Sequence, residues 1–305
     1  MPLLLTAAEI CLPVAVCIAA GWTLARRTGL SAAPLAGAAV HVFGPALLLA
    51  NVPPNLAARP MLPVVLLGTV GLTGLAAHAA GRLLKLRDRT ERVSLLLGAM
   101  LCNFGFFGIP IVEAALGSDA RAQALAVLVI LNIPTGFLSA WFASPNPQFA
   151  MAMRHTLSSP FNWAIVASIA MSLMGWSLPS LVQPAADLLA GGAIPAGLVV
   201  LGMELARLGP SPQQRRIVAT AVGLRLLVGP LIAWALALLT GLWREPAWAQ
   251  SAILQMATPA GITPLIFLAA SGQRSTALAA VVFWSTIVSL ATVPLFAIAL
   301  RLASS

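Results

Sequence analysis

The chain has 305 residues, of which 60% are hydrophobic and 8% are charged, against about 25% charged in an ordinary soluble domain. Its 17 basic and 8 acidic side chains cannot cover a globule of this size with a polar shell. That excludes a soluble enzyme, a nucleic-acid reader and a disordered chain, leaves an integral membrane protein, and makes the net charge of +9 a topology signal before anything else.

A hydrocarbon core of about 30 Å takes about 20 residues of helix per crossing. Apolar runs of that length fall at 4–24, 31–52, 61–81, 93–116, 122–143, 160–178, 184–206, 217–240, 247–270 and 276–300. They lack the dyad alternation of outer-membrane barrels and are rich in Ala and Leu, so ten helices joined by short loops are expected. The opening MPLLLTAAEI has no basic start and its apolar run continues through Ala20, so it reads as a retained first span. Cys11, Cys17 and Cys102 lie inside apolar runs, and an odd count builds no disulfide framework. They read as small buried hydrophobes.

Loop charges set the orientation. With the N-terminus outside, the inner loops hold Arg26, Arg27, Arg82, Lys85, Arg87, Arg89, Arg92, Arg154, Arg207, Arg215, Arg216 and Arg274. The outer side holds only Arg59, Arg121, Arg244 and Arg301. By the positive-inside rule both termini face away from the cytoplasm of an inner (plasma) membrane. Trp22, Trp141, Trp163, Trp176, Trp243 and Trp248 fall near run ends, as interfacial anchors should. Gly68, Gly71 and Gly74 of the third run suit close helix packing. His41, mid-way in the second run, reads as a packing residue, while His78 and His155 sit near the inner surface.

Pro145-Asn146-Pro147 is the natural midpoint, dividing the chain into a first five-helix repeat (1–150) and a second, inverted one (151–305). The fourth run reads Asn103-Phe104-Gly105-Phe106-Phe107-Gly108-Ile109-Pro110, and the ninth reads Ala257-Thr258-Pro259-Ala260-Gly261-Ile262-Thr263-Pro264. Pro110 and Pro264 correspond at an offset of 154, and Gly44-Pro45 of the second run matches Ile194-Pro195 of the seventh. An odd number of spans per half turns the second half upside down, which is an inverted repeat.

Proline removes a backbone donor, and glycine costs about 1 kcal/mol in a helix interior, so mid-membrane clusters of both predict unwinding into half-helices. Freed N–H and C=O groups at that depth must be buried in protein or line a wet cavity. Half-helix N-termini after Pro110 and Pro264 would present positive dipole ends to an anionic group such as a carboxylate. Two ordinary proline kinks are the plainer alternative. Their matched positions favour a crossing site drawing on Asn103, Gly105, Gly108, Pro110, Pro259, Gly261 and Pro264. Gln255 and Thr258 are further candidates. Asn132 either lines the pocket or bonds across helices.

Arg225 lies roughly 12 Å into the eighth run at 1.5 Å per residue, where charge is costly. It is a countercharge to an anionic substrate, a snorkelling residue, or a partner of Glu204. Glu9, Glu113 and Glu204 are the acidic residues within runs. Glu113, one turn past Pro110, and Glu204 are the candidates for proton coupling, but both also lie near run ends, where solvation is cheap.

The Asn103-x-Gly105-x-x-Gly108-x-Pro110 motif resembles the auxin efflux carrier family, which includes plant PIN-formed carriers and bacterial malonate-type permeases. So do Ile194-Pro195-Ala196-Gly197-Leu198-Val199-Val200-Leu201-Gly202-Met203-Glu204-Leu205 of the seventh run and Val282 to Pro294 of the tenth. The resemblance covers nearly the whole chain. It implies an all-α integral membrane fold of ten transmembrane helices, built as two inverted five-helix repeats with broken, crossing helices 4 and 9. It further implies a scaffold of helices 1, 2, 6 and 7, a mobile unit of helices 3–5 and 8–10, elevator-type alternating access, and a homodimer joined through the scaffolds. The ninth run departs by carrying both Thr258-Pro259 and Thr263-Pro264, so either proline could mark the crossover.

The function expected is secondary transport of a small organic anion, with no cofactor, metal or nucleic-acid partner. Motifs for a membrane-embedded enzyme (His-Glu-x-x-His, Gly-x-Ser-x-Gly) are missing from the sequence. The paired breaks argue for a carrier over a channel or receptor. The alternative is an ion-coupled exchanger or bile-acid-type sodium symporter of the same architecture. An exchanger of that kind needs acidic ligands at the crossover, and none stands within 103–110 or 257–264.

Overall fold

The computed structural model describes residues 2–53, 56–144, 146–207, 214–270 and 275–304. Pro145 of the expected midpoint and Arg274 of the expected inner-loop set lie outside the described residues. The described elements are helical: α1 (Pro2–Thr28), α2 (Ala33–Ala50), α3 (Met61–Leu83), α4 (Arg89–Met100), α5 (Gly108–Leu116), α6 (Arg121–Ala143), α7 (Phe149–Leu157), α8 (Pro160–Met174), α9 (Gln183–Leu205), α10 (Arg215–Leu239), α11 (Pro246–Met256), α12 (Thr263–Ala270) and α13 (Thr276–Ser304).

Seven helices among the described residues are long and apolar enough to cross a membrane, namely α1, α2, α3, α6, α9, α10 and α13. An eighth candidate is the pair α7 and α8, bent by 80°. Ten helices each long enough to span are therefore not found among the described residues. The fourth and ninth runs are each split, α4 from α5 and α11 from α12, and neither half of either pair is long enough by itself. The sixth run is shorter than expected at its C-terminal end, closing at Gly175 in the left-handed conformation (φ 66°) that favours glycine. It is preceded by α7, which the apolar count missed because Arg154 and His155 interrupt it.

Proline placement explains several of the helix starts. Pro34, Pro160, Pro184 and Pro246 stand in first turns, where the missing N–H has no acceptor to lose. Gly44-Pro45 and Gly229-Pro230 stand inside helices, and there the preceding turns widen to π geometry over Ala39–Phe43 and Leu224–Val228. Each spreads the lost hydrogen bond over a longer ring instead of breaking the helix. The N-terminus of α4 is capped by the Asp88 carboxylate, which accepts the Glu91 N–H at 2.8 Å. Arg89 then donates to the carbonyls of Phe142 (3.0 Å) and Ser144, tying that end to the C-terminus of α6, where a cation is favoured.

Helices α1 and α9 touch backbone to backbone. A methyl placed on Gly21 would lie 2.1 Å from the Val199 carbonyl oxygen, and one on Gly202 would lie 2.0 Å from that of Ile18. Only glycine permits such backbone contact between apolar helices. The third-run glycines play a lesser part. A methyl on Gly68 meets Leu236 at 3.0 Å and one on Gly74 meets Met100 at 3.5 Å, while Gly71 has nothing within 4 Å. Large apolar side chains such as Leu75, Leu83, Leu188 and Leu239 point outward, which suits a lipid surround. Trp22, Trp163 and Trp176 are exposed as anchors should be, but Trp248 is buried under the Arg59 guanidinium, 5.6 Å from its ring centroid.

Candidate functional site

Between α4 and α5 the chain runs through 101–107, and between α11 and α12 through 257–262. These two breaks pair with each other. An antiparallel bridge joins Cys102 to Ala260. Within it the Asn103 N–H donates to the Pro259 carbonyl at 2.8 Å, and the Gly261 N–H donates to the Leu101 carbonyl at 3.0 Å. A methyl on Gly261 would come within 3.1 Å of the Cys102 carbonyl oxygen, so a side chain there would part the two strands. The Ala260 N–H is taken by Ser285 Oγ of α13 at 3.0 Å.

Beside the bridge lies a cavity of about 270 Å³. Asn103, Gly105 and Phe106 line it from the first break and Gly261, Ile262 and Thr263 from the second. Asn132 and Thr135 of α6, His155 and Thr156 of α7, and Phe161 and Asn162 of α8 close the far side. Asn103 is 9% exposed, and its side-chain amide has no hydrogen-bond partner among the described residues. The N–H groups of Gly105, Phe106, Ile262 and Thr263 likewise have no acceptor among them. The cavity therefore offers neutral donors set in an apolar wall, an arrangement that suits an anionic oxygen. A second cavity of about 170 Å³ shares His155, Ile266 and Phe267 with the first and extends past Trp141 to Gln148.

Of the residues singled out from sequence, Asn103, Gly105, Asn132 and Gly261 line this cavity. Asn132 Nδ2 donates to Asn162 Oδ1 at 2.7 Å, and Asn162 in turn donates to the Thr156 carbonyl, so Asn132 both lines the wall and bonds across helices. Gly108 and Pro110 lie just beyond it as the first and third residues of α5. The half-helix thus starts ahead of Pro110, not after it, since an unpaired first-turn N–H is free to be a proline. Pro264 is likewise the second residue of α12, whereas Pro259 sits in the crossed strand itself.

The remaining candidates are packed behind the bridge. Gln255 is fully buried and donates from Nε2 to the Ala124 carbonyl at 3.1 Å. Thr258 is also buried and donates to the Gln255 carbonyl at 2.7 Å. Arg225 is 1% exposed and is not among the residues lining the cavity. Its Nη1 donates to the carbonyls of Ala99 (3.1 Å) and Met100 (3.2 Å), and its Nη2 donates to that of Met256. Neither snorkelling nor pairing with Glu204 describes it. Glu113 faces Arg121 across 3.3 Å in the second half of α5, and Glu204 makes no ion pair among the described residues. Neither carboxylate lines the cavity.

Sequence reasoning missed the α7–α8 side: His155, Thr156, Asn162 and Phe161. The sign available was Asn162 inside an apolar run, an expensive residue in a membrane helix that calls for a partner. It also missed Phe106, whose ring occupies the place a Gly197 side chain would take, 2.1 Å from a methyl built there.

Residues 147–297, about half of the chain, match the family described as Membrane transport protein. The chain is 24% identical over 247 residues to an "Uncharacterized transporter" of Methanothermobacter thermautotrophicus, covering 79% of this chain and 78% of that protein. It is 25% identical over 199 residues to a "Putative malonate transporter" of Rhizobium meliloti, covering 63% of this chain and 62% of that one. The all-helical membrane architecture, the paired helix breaks and these similarities agree: the chain belongs to the membrane transport protein family, that of the auxin efflux carriers, and is a transporter, not an enzyme.

Proposed function

We propose that the chain is a secondary active transporter of a small organic anion, a carboxylate, held at the paired breaks and moved by elevator-type alternating access. The observation that carries this reading is the bridge between 101–103 and 259–261 beside a cavity lined by Asn103, whose side-chain amide has no partner among the described residues. Donors without a fixed charge bind a carboxylate without holding it too tightly to release. The malonate in the name of the Rhizobium meliloti relative points to the same chemical class.

In this reading the split pairs α4–α5 and α11–α12 each count as one span, which with α7–α8 makes ten, arranged as inverted repeats 1–150 and 151–305. The α1–α9 backbone contact belongs to a rigid scaffold with α2 and α8, and the other helices move against it. Phe106 on Gly197 is then a sliding contact between the two bodies. Scaffold faces join two copies, and both termini lie outside the cytoplasm. The second cavity, past His155 to Gln148, is on that topology the cytoplasmic approach, so the molecule faces inward. Elevator motion is what the resemblance implies, and the small Phe106–Gly197 contact is compatible with it.

Melting of the purified protein in choline buffer against a panel of mono- and dicarboxylates tests the reading. At least one carboxylate should raise the melting temperature in a saturable way, by mass action on the folded state, and the same compound should drive flux in proteoliposomes. Stabilisation by no organic anion would overturn it.

A further inference from the structure

The last carbonyls of a helix have no intrahelical donors and carry a partial negative charge of about half an electron. Here two such ends meet, because α4 stops at Met100 and α11 at Met256, and both open onto the same bridge. Where half-helices end inside a membrane, their carbonyls are the usual seat of a coupling cation. In this chain the oxygens of Ala99, Met100 and Met256 are already engaged by one guanidinium, that of Arg225.

We infer that Arg225 is a tethered cation standing where a coupling ion would bind, so that this carrier works without sodium. Charge supports it: two helix ends of about −0.5 each balance one guanidinium, which has no carboxylate partner among the described residues. Local structure supports it as well. The π turn Leu224–Val228 sets Arg225 in α10, and Gly229 leaves the room, since a methyl there would lie 2.8 Å from Nη2. A sodium ion on the same oxygens would add a second positive charge against the first in a region of low dielectric, where repulsion is strong. The inference goes beyond the anion-carrier reading and does not depend on which anion is carried. It also fits the lack of acidic side chains within 103–110 and 257–264.

The test needs no substrate, so its failure is distinct from that of the carboxylate screen. Thermal unfolding of the purified protein is compared in sodium, potassium and choline chloride at equal ionic strength. Wild type should melt at the same temperature in all three, and saturable, sodium-specific stabilisation would overturn the inference. Arg225→Ala should melt roughly 10 °C lower, because three buried carbonyls lose their donor. Guanidinium chloride at low millimolar concentration should recover part of that loss where choline does not. An Arg225→Ala protein as stable as wild type, or one that guanidinium fails to recover, would overturn it. Should that variant not fold, Gly229→Ala keeps the charge but crowds Nη2, and it should melt between the two. A Gly229→Ala protein equal to wild type counts against the geometry, and the sodium comparison on wild type stands regardless.

Discussion

The two helix breaks correspond in sequence, yet they are used differently. The first, 101–107, turns Asn103, Gly105 and Phe106 to the cavity. The second keeps Thr258, Pro259 and Ala260 buried, with Thr258 turned back on Gln255 and Ala260 held by Ser285, and reaches the cavity only from Gly261 onward. The first break brings the side-chain amide of Asn103, unpartnered among the described residues, to the cavity, while the second brings backbone N–H groups past Gly261 and braces the crossing with its buried part. The crossing geometry comes from backbone hydrogen bonds, while the side chains of the two breaks divide the labour between contact and support.

Removing a presenting group and a bracing group should therefore have opposite signatures. Asn103→Ala carries the largest expected effect. A hydrogen bond to a charged group contributes about 1.5–3 kcal/mol, so affinity for the stabilising carboxylate should fall about 10- to 100-fold. The melting temperature without ligand should barely move, since the amide has no protein partner to lose. Ser285→Ala should do the reverse, leaving the buried Ala260 N–H unpaired at a cost of about 1–3 kcal/mol. Calorimetry should show that loss while ligand affinity in the folded protein changes little. If both variants lost affinity alike, the division between the breaks would be gone. Asn132→Ala comes next. It leaves Asn162 Oδ1 without its donor at about 1 kcal/mol, and a shift in affinity as well as stability would extend the contacting surface to α6.

The breaks themselves were legible because Pro and Gly inside an apolar run have few other readings. Asn103 was legible for the same reason, as a polar residue within the break. Arg225 was legible as a deep charge, but its partners were not, since carbonyl oxygens leave no mark in a sequence and only the fold brings Ala99, Met100 and Met256 together. Gln255 and Thr258 looked like contacts because polarity near a break reads the same whether it faces a cavity or a neighbouring helix. The α7–α8 wall was hidden by its chemistry: Arg154 and His155 make 149–157 look like a loop, and the turn at Ser159-Pro160 is a tertiary choice. The α1–α9 contact through Gly21 and Gly202 was equally silent, because Gly68, Gly71 and Gly74 carry the more regular spacing.

The smallest expected effect decides which proline matters at the second break. Pro264 is in the first turn of α12, where no N–H is missed and its ring only narrows the unfolded ensemble, so Pro264→Ala should cost under about 1 kcal/mol. Pro110→Ala, in the first turn of α5, should match it. Pro259 differs because its carbonyl accepts from Asn103 and because a proline disfavours helix at the residue before it, Thr258. Without that restraint α11 could continue past Met256 and draw in the carbonyl that Arg225 engages. Pro259→Ala should then lower both melting temperature and carboxylate affinity, and Pro264→Ala neither beyond the chain-entropy loss. Equal behaviour of the two variants would mean that the crossed strand is held by Ser285 and the Asn103–Pro259 hydrogen bond alone, with no part for the proline ring.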